Sequence, residues 1–519
     1  MSISTQQMPW TASAPRRVRE EHGFTMIVAL LTMLVTSLLI GAALIAVVGD
    51  VHLSSRDVAA KQAYSAAQAG LNAYLHQLNV NGDYWQTCSN DAQTTTSVPG
   101  ATNGEQYAYQ PIYNPGYSAA NCQTSPISAL VDSASGTINM EFFGYAGNPR
   151  VQRGIVASFR KDSPLDYLWY SVYEAFDPLI LPGHNCAVFA RDGRDPTCNL
   201  YWATGSVNKG PAYTQDQFNI IGSPVFGRGP NDRIASVDPD SVCSGGNCQQ
   251  AVFKGTVVTG APTIAPPADN SGLLTDAQSY GQVLSGTTNI TLNGNQAVIT
   301  NCPSDANSCT TGPPVNLASS PIIYVANAQG CTPTPYTPLG ARYNFTTFNG
   351  QQMAYGCAGD VYISGNYTVP VTIAAANDIV LTGNVTTTTD GSGQPTGTAT
   401  AGLVANDFVR MEHSCSDPAH DITIDAAILA IQHEFVLDNA YCGVPLGTET
   451  VNGAIAETFA DFDGVWGGSG PIHGYVDNYT YDDRLRVTLP PYLFDIATAG
   501  WHVFRENLCT PGGAGNAAC

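Results

Sequence analysis

Positive charge is scarce in this 519-residue sequence. Lysine and arginine together number 20, against 41 aspartates and glutamates, and the formal net charge is −21. Proteins bind phosphate backbones through clusters of lysine and arginine, and no basic stripe occurs after residue 23. The composition therefore argues against nucleic acid as a partner.

Common catalytic and metal-binding motifs are also missing. The sequence contains no G-x-S-x-G, no H-E-x-x-H and no P-loop. It has no D-x-D-x-D-G calcium loop, and Cys243-x4-Cys248 lacks the second half of a zinc site. We therefore expect no enzyme activity, no cofactor and no metal. Four aspartates are expected to be solvated turn residues: Asp238, Asp240, Asp461 and Asp463.

Two groups of residues keep an enzymatic alternative open. The run Asp482 to Arg486 places two carboxylates beside two arginines, and we interpret it as a salt-bridged domain edge because strand neighbours point to opposite faces. A second group could meet on one face of a β-helix, and it comprises Glu412, His413, His420, His433 and Glu434. The alternative function is a surface-anchored β-helical polysaccharide-processing enzyme, which a groove with convergent carboxylates or arginines would favour.

Charge of either sign is absent from Phe24 to Val48. A helix of this length spans roughly 37 Å, enough to cross a hydrocarbon core of about 30 Å, and it is too long for a cleavable signal sequence. Arginines precede the segment and Asp50 follows it. The positive-inside rule then predicts a cytoplasmic leader at 1–23, a transmembrane helix at 24–48 and an extracellular remainder.

The start of this segment resembles the type IV prepilin processing site. Gly23-Phe24-Thr25 precedes the uncharged span, and Ala63-Tyr64-Ser65-Ala66-Ala67-Gln68-Ala69-Gly70-Leu71 resembles the AFxAAEAGL pattern of the PilX-like N-terminal domain. These motifs cover about residues 20 to 80, and the large β-rich region that follows resembles, more loosely and in layout only, large actinobacterial minor pilins and pilus assembly surface proteins with a PilX-like anchor. The resemblance implies cleavage after Gly23 by a prepilin peptidase, with Phe24 as the new N-terminus and other pilin-like subunits as partners.

One residue departs from the pattern of major pilins. Those proteins carry glutamate at the fifth mature position, where it can pair with the N-terminal amine of a neighbouring subunit, and here the position is Val28. Burying an amine without a partner costs several kcal/mol. We therefore expect a scarce or tip-located subunit rather than a repeating one.

The helix is predicted to continue outside the membrane over residues 49–80. Apolar residues recur at spacings of three and four and define one face: Ala60, Tyr64, Ala67, Leu71, Leu75 and Leu78. Asp57, Lys61 and Gln68 lie off this face and are expected to be solvated. A stop signal at residues 79–83 should end the helix.

All fourteen cysteines lie beyond the predicted span. An even number on the oxidising side of a membrane predicts disulfides. Sequence cannot prove connectivity, and consecutive pairing is the natural assignment: Cys88 with Cys122, Cys186 with Cys198, Cys243 with Cys248, Cys302 with Cys309, Cys331 with Cys357, Cys415 with Cys442, and Cys509 with Cys519.

Two β-rich regions are predicted after the helix. Residues 81–160 contain strand-like runs separated by turns, namely Tyr107 to Tyr113, Ala129 to Asp132, Thr137 to Tyr145 and Val151 to Phe159. A helix followed by such an antiparallel sheet is the arrangement of a pilin head. A linker at 161–185, with an aromatic run from Tyr167 that is interpreted as a domain-joining core, precedes a large β domain at 186–492 and a tail at 493–519.

An internal echo suggests how the large domain is built. Ala376-Asn377-Asp378 recurs as Ala405-Asn406-Asp407 after 29 residues, and Ala427-Ile428 is echoed at Gly453-Ala454. Short apolar strands lie between these segments, at 360–364, 371–374, 378–382, 403–405 and 422–424. Such coils are typical of a parallel β-solenoid, with a β-sandwich as the alternative.

These observations predict a membrane-anchored, PilX-like surface protein with a disulfide-braced β ectodomain. It would act as a minor pilin or as a pilus assembly or adhesion component, with an unidentified surface ligand. A static envelope protein that never enters a filament is a further alternative.

Overall fold

The structure, a computed structural model, describes most of the chain after residue 23. The described residues are 24–88, 94–102, 104–132, 137–244, 247–303, 308–333, 345–348, 351–354, 356–460, 463–467, 470–486, 488–493 and 500–509. Residues 1–23, predicted to be a leader and including Gly23, lie outside them, as do Asp461 and Cys519. One long apolar helix is followed by a large, predominantly β region.

Helix α1 runs from Phe24 to Val80. Its first half is rich in leucine, alanine and other apolar residues, and Met26–Ile45 has a mean hydropathy of 2.5 with none of its surface covered by the rest of the chain. The helix ends where Asn81 and Gly82 follow, which are typical stop residues. A helix this apolar and uncovered is long enough to cross a bilayer.

The second half of α1 packs on an antiparallel sheet, the head sheet. Short helices α2 (Ala119–Cys122) and α3 (Pro126–Leu130) flank it. Its first strands are β1 (Thr96–Ser97), β2 (Gln106–Pro111), β3 (Val131–Asp132), β4 (Thr137–Ala146) and β5 (Val151–Lys161). Strands β1, β2, β4 and β5 are neighbours in that order. The predicted runs at 107–113, 137–145 and 151–159 correspond to strands, but Ala129 lies in α3.

The buried face of α1 is rotated slightly from the predicted one. Ala67, Leu71 and Leu78 are buried as expected, whereas Ala60, Tyr64 and Leu75 are half-buried. Tyr74, which the spacing did not select, is buried at the centre of an aromatic cluster, with ring centroids 5.3 Å from Phe159 and 5.9 Å from Phe142. Tyr74 faces the sheet because it packs against the rings of Phe142 and Phe159. Small residues of α1 lie where the strands approach the helix backbone closely.

The large β region begins with strands between residues 169 and 258. They are β6 (Trp169–Tyr173), β7 (Trp202–Ala203), β8 (Val207–Lys209), β9 (Ala212–Thr214), β10 (Phe218–Ile221), β11 (Val225–Phe226), β12 (Arg233–Ser236), β13 (Cys243–Ser244), β14 (Val252–Phe253) and β15 (Thr256–Val258). Helix α4 (Ser271–Tyr280) follows them. Strand β6 lies inside the segment predicted as a linker, so that prediction was wrong. Its aromatic side chains are buried in the interior of the β region.

Further strands extend from residue 282 to 481. They are β16 (Gln282–Ser285), β17 (Thr287–Gly294), β18 (Gln296–Cys302), β19 (Thr310–Thr311), β20 (Val315–Asn316), β21 (Ile322–Ala326), β22 (Phe345–Phe348), β23 (Gln351–Ala354), β24 (Val361–Tyr367), β25 (Val371–Ala375), β26 (Ile379–Thr386), β27 (Ala401–Ala405), β28 (Val409–Met411), β29 (Ile422–Ile424), β30 (Ala427–Ala430), β31 (Phe435–Leu437), β32 (Pro445–Phe459), β33 (Gly464–Gly467) and β34 (Gly470–Tyr481).

Most of these strands stack in parallel ladders. One ladder runs through β16, β21, β25, β27, β30, β32, β6, β9, β12 and β15, with every neighbouring pair parallel. A second runs through β17, β24, β26, β29, β32, β34, β8, β11 and β14, also in parallel. Their inward side chains form one continuous apolar core, as expected for parallel sheets.

The order of the strands in the stack differs from their order in the sequence. The chain enters the middle of the stack at β6 and builds one half of it, up to β15 at one end. Helix α4 then connects to β16, which lies at the opposite end of the stack. The chain then returns strand by strand until β32 pairs with β6, with Ile455 opposite Trp169. The first and last parts of the β region therefore meet in the middle of the stack.

The repeat noticed in the sequence is displaced by one residue in the structure. Ala375 pairs with Ala405 and Ile379 with Val409, a step of 30 residues, rather than the 29 that aligns Ala376 with Ala405. Similarly, Ala427 pairs with Ala454 rather than Gly453. Side chains alternate between faces, so register follows the buried apolar positions; Ala375 is buried and Ala376 is only half-buried.

The C-terminal segment returns to the head sheet. Strand β35 (Trp501–Cys509) pairs antiparallel with β5, with Trp501 opposite Lys161 and Leu508 opposite Ile155. The prediction of a tail at 493–519 was therefore wrong for residues 501–509. The whole β region between β5 and β35 is an insertion between two adjacent strands of the head sheet.

Disulfides brace both regions. Six of the expected consecutive pairs are bonded: Cys88–Cys122, Cys186–Cys198, Cys243–Cys248, Cys302–Cys309, Cys331–Cys357 and Cys415–Cys442. The seventh pair, Cys509 with Cys519, lies partly outside the described residues. Together with the uncovered apolar helix, these bonds indicate a membrane-anchored, exported protein.

Candidate functional site

A cleft opens in the β region where the first and last parts of the stack meet. It encloses about 340 Å³, within the range of roughly 300–1,000 Å³ of small-molecule sites. Its lining comes from five separate stretches of the chain and consists of Trp169, Glu174, Leu200, Tyr201, Trp202, Ala203, Ser206, Ile221, Ala460, Asp463, Gly464, Trp466 and Asp477. We refer to it below as the junction cleft.

Two tryptophans and one glutamate form the floor of the junction cleft. The rings of Trp169 and Trp202 lie edge to face with centroids 4.8 Å apart. Glu174 accepts hydrogen bonds from Trp169 Nε1 at 3.0 Å and from Trp202 Nε1 at 3.1 Å, and a third from Ser171 Oγ at 2.6 Å. The carboxylate therefore locks both indoles in place.

Burial raises the pKa of Glu174 to about 7. Removing a carboxylate from water disfavours its charged form, and nearby Asp216 raises the pKa further, whereas the hydrogen bonds from Ser171 and the tryptophans oppose the rise. The proton of Glu174 is consequently gained and lost close to neutral pH.

The rim of the junction cleft is aromatic, aliphatic and acidic. Tyr201, Trp466 and Ile221 are 47%, 41% and 51% exposed, large values for such side chains. Asp463 is buried at the wall, 3.4 Å from the Tyr479 hydroxyl, and Asp477 lies on β34 beside it. Among the described residues that line the cleft there is no lysine, arginine or histidine.

Asp463 and Asp238 depart from the sequence interpretation. Both were expected to be solvated turn residues, and both are buried. Asp238 Oδ1 accepts hydrogen bonds from the backbone amides of Asp240 and Ser241, while Asp240 is exposed as predicted. Tight turns bury such carboxylates when they cap local backbone donors.

The glutamate and histidine group near residue 420 does not form a common centre. His413 Nδ1 donates to the Asp438 carbonyl at 2.9 Å, and His420 Nε2 lies 2.8 Å from the Tyr475 hydroxyl. Glu434 is fully buried, and burial raises the pKa of half-buried Glu412 to about 7. Within the described part of the chain, no group of histidine, cysteine and acidic residues could hold a metal ion.

His433 belongs to a different contact. Its Nδ1 lies 2.6 Å from Asp177 Oδ2, and its ring stacks on Phe408 with centroids 4.3 Å apart. Burial opposes protonation, but the Asp177 carboxylate raises the pKa of His433 above its ordinary value. This pair fastens the loop after β6 to the outside of the stack.

The run at Asp482 to Arg486 is a salt-bridged edge, as interpreted from the sequence, but Asp483–Arg486 form a short 3-10 helix rather than the strand on which that interpretation rested. Arg484 pairs with Asp482 at 2.7 Å, and Arg228 bridges Asp483 at 2.7 Å and Asp232 at 2.8 Å. Arg160 of β5 donates to the Arg486 carbonyl at 2.7 Å. The network joins the head sheet to the β region and contributes nothing to the junction cleft.

The junction cleft itself was not predicted. Trp169 was recognised only as part of an aromatic run, and Glu174 and Trp202 were not selected. No local motif links these residues, because pairing between β6 and β32 brings together segments that lie nearly 300 residues apart in the sequence.

Comparisons with known proteins add little. No family model and no curated protein matches the chain. Among solved structures, the competence-associated pilin ComZ from Thermus thermophilus matches with 11% identity over 87% of this chain and 97% of that chain, at a TM-score of 0.27. A score of this size is too low to support an inference about shared fold or function.

Proposed function

We propose that this chain is a type IV pilin-like surface protein, anchored by α1 and carrying its β region outside the cytoplasmic membrane. One observation supports this above all: α1 is bare and apolar over Met26–Ile45, while its second half packs against an antiparallel sheet. A single helix that serves as membrane anchor and then as spine of a globular head is the design of a pilin. The PilX-like motif lies on the packed half.

The processing site is part of the same proposal. A prepilin peptidase would cut after Gly23 and leave Phe24 as the first residue of α1. Arginines at residues 16, 17 and 19 hold the leader in the cytoplasm. The protein is then a single-pass membrane protein with its C-terminal side outside.

Its place among other subunits follows from Val28. This residue is 44% exposed on the bare part of α1, where a major pilin offers a carboxylate to the N-terminal amine of a neighbour. Without that carboxylate the chain acts as a minor pilin or a pilus assembly or adhesion component. Other pilin-like subunits are its partners within the membrane.

The large β region is, in this proposal, a parallel β-solenoid displayed by the head. Two parallel ladders that share one core support a solenoid over a β-sandwich, whose sheets are antiparallel. Because both ends of the solenoid enter adjacent strands β5 and β35, it is held at two points. Such a doubly tethered module suits a ligand-presenting role under mechanical load.

Co-isolation with filaments tests the proposal. Cells that assemble type IV filaments are sheared, and the filament fraction is probed for this chain in the presence and absence of the prepilin peptidase. We expect small amounts in the filament fraction only when the peptidase is present. Retention of all the protein in the membrane fraction under both conditions would instead support a static envelope protein.

A further inference from the structure

We propose that the junction cleft binds an uncharged glycan chain. This assignment rests on the cleft alone and does not depend on how the chain is anchored. The ligand class follows from three features: exposed aromatic rings at the rim, carboxylates in the wall, and a rigid floor.

The exposed rings supply flat apolar surfaces. Trp466 on β33 and Tyr201 before β7 leave 41% and 47% of their surface in solvent, and both border the same opening. Large aromatic side chains with a polar tip favour ligands that offer an apolar face and hydroxyl groups together. The C–H face of a pyranose ring and its hydroxyls meet both requirements.

The carboxylates determine the charge of the ligand. Asp463 and Asp477 are hydrogen-bond acceptors when ionised, and sugar hydroxyls are donors. Glu174 adds a third acid below them, and the described lining holds no cationic side chain. An acidic polysaccharide would bring further negative charge to a lining that holds carboxyl groups and, among its described residues, no cationic side chain, so the cleft discriminates against it.

The floor is fixed before the ligand arrives. Glu174 holds Trp169 and Trp202 through their indole nitrogens, and Trp202 is packed between Phe218 and Phe226 with centroids 6.3 and 5.0 Å away. A preorganised site loses less entropy on binding than a mobile one. The acceptor atoms of Glu174 are engaged in this role, so we assign binding rather than hydrolysis to the cleft.

The test is a titration of the full-length protein in detergent with cellohexaose, chitohexaose and maltohexaose, followed by tryptophan fluorescence. We expect at least one of these neutral oligosaccharides to bind and polygalacturonate not to bind. Trp466→Ala should weaken binding about tenfold or more, as removal of a central aromatic contact does. Tyr441→Ala, at an equally exposed tyrosine outside the cleft, should leave binding within about twofold.

The variant Asp477→Asn tests whether the carboxylate contributes to binding of the glycan, beyond stacking of the sugar rings on Trp466 and Tyr201. Loss of a charged acceptor should weaken binding about tenfold, with an unchanged melting temperature as the check on folding. Four results would overturn the assignment: no binding of any neutral oligosaccharide, equal effects of Trp466→Ala and Tyr441→Ala, displacement of the glycan by tetramethylammonium, or shortening of the bound oligosaccharide. The last result would make the cleft a hydrolytic site.

Discussion

Gly144 of strand β4 lies against Ala63 of helix α1 so closely that a Cβ atom at residue 144 would overlap the Ala63 carbonyl oxygen. Two helical turns later, a Cβ at Gly70 would lie 2.9 Å from the ring of Tyr107 on β2. The small residues between Ala63 and Leu71 are therefore the positions where strands cross the helix. Backbone contact of this kind explains why that segment is rich in alanine and glycine.

Gly144→Ala should destabilise the head. The added methyl group must push β4 away from α1, and overpacking of this kind costs about 1–3 kcal/mol or more. Gly82→Ala is the matched control, because a Cβ there meets no atom within 4 Å. Thermal unfolding of both variants measures the difference. Equal melting temperatures would show that β4 and α1 do not approach each other closely at Gly144.

Arg410→Met should strongly destabilise the β region. The guanidinium donates to Asp378 and Asp438 at 3.0 Å each, and all three side chains are almost completely buried. Removing one partner from such a group costs about 3–5 kcal/mol. Denaturant unfolding should show the loss, while Arg56→Ala at an exposed position should change little. Adding Asp378→Asn to the Arg410 variant should recover part of the stability, and no recovery would contradict the pairing.

Glu174 should make stability depend on pH. Its pKa is raised from 4.5 to about 7, so the unfolded chain releases this proton at lower pH than the folded protein does. The favourable contribution of protonated Glu174 to the free energy of unfolding is complete below about pH 4.5, and it is lost as the pH rises to about 7. Glu174→Gln should therefore reduce the fall in melting temperature between pH 5 and pH 8, whereas Glu506→Gln at an exposed site should not. Identical pH profiles for wild type and Glu174→Gln would refute the assignment.

Val28→Glu should restore the carboxylate that major pilins carry. We expect processing to be unaffected and incorporation along filaments to increase, because the new acid can pair with the N-terminal amine of a neighbour. Immunogold labelling of sheared filaments provides the measurement. Even labelling along the shaft by the wild-type protein would contradict the reasoning from the missing charge.

Local patterns in the sequence identified much of the architecture. The uncharged run and the stop at residues 79–83 are properties of neighbouring residues, and α1 follows them. The spacing of apolar residues located the packed half of α1 but not Tyr74 at its centre. The cysteines could be paired because partners lie close in sequence. Short strand-like or apolar runs separated by turns located β4, β5 and five of the stacked strands.

The features that could not be predicted from the sequence depend on pairing between strands that are far apart in the chain. The return of β35 to β5 and the closure of β6 on β32 depend on contacts between residues hundreds of positions apart, for which no local pattern exists. The same closure creates the junction cleft, so Glu174, Trp202 and Trp466 could not be recognised as one group. The one-residue error in the repeat arose because turn residues were aligned, whereas buried positions determine the register.

The N-terminus of the mature protein tests the central proposal most directly. Mass spectrometry of the protein from cells with an active prepilin peptidase should find Phe24 as the first residue. Gly23→Ala should block this cleavage, and Gly41→Ala, at a glycine within the bare part of α1, should not. An intact Met1 in peptidase-positive cells would contradict the pilin-like account.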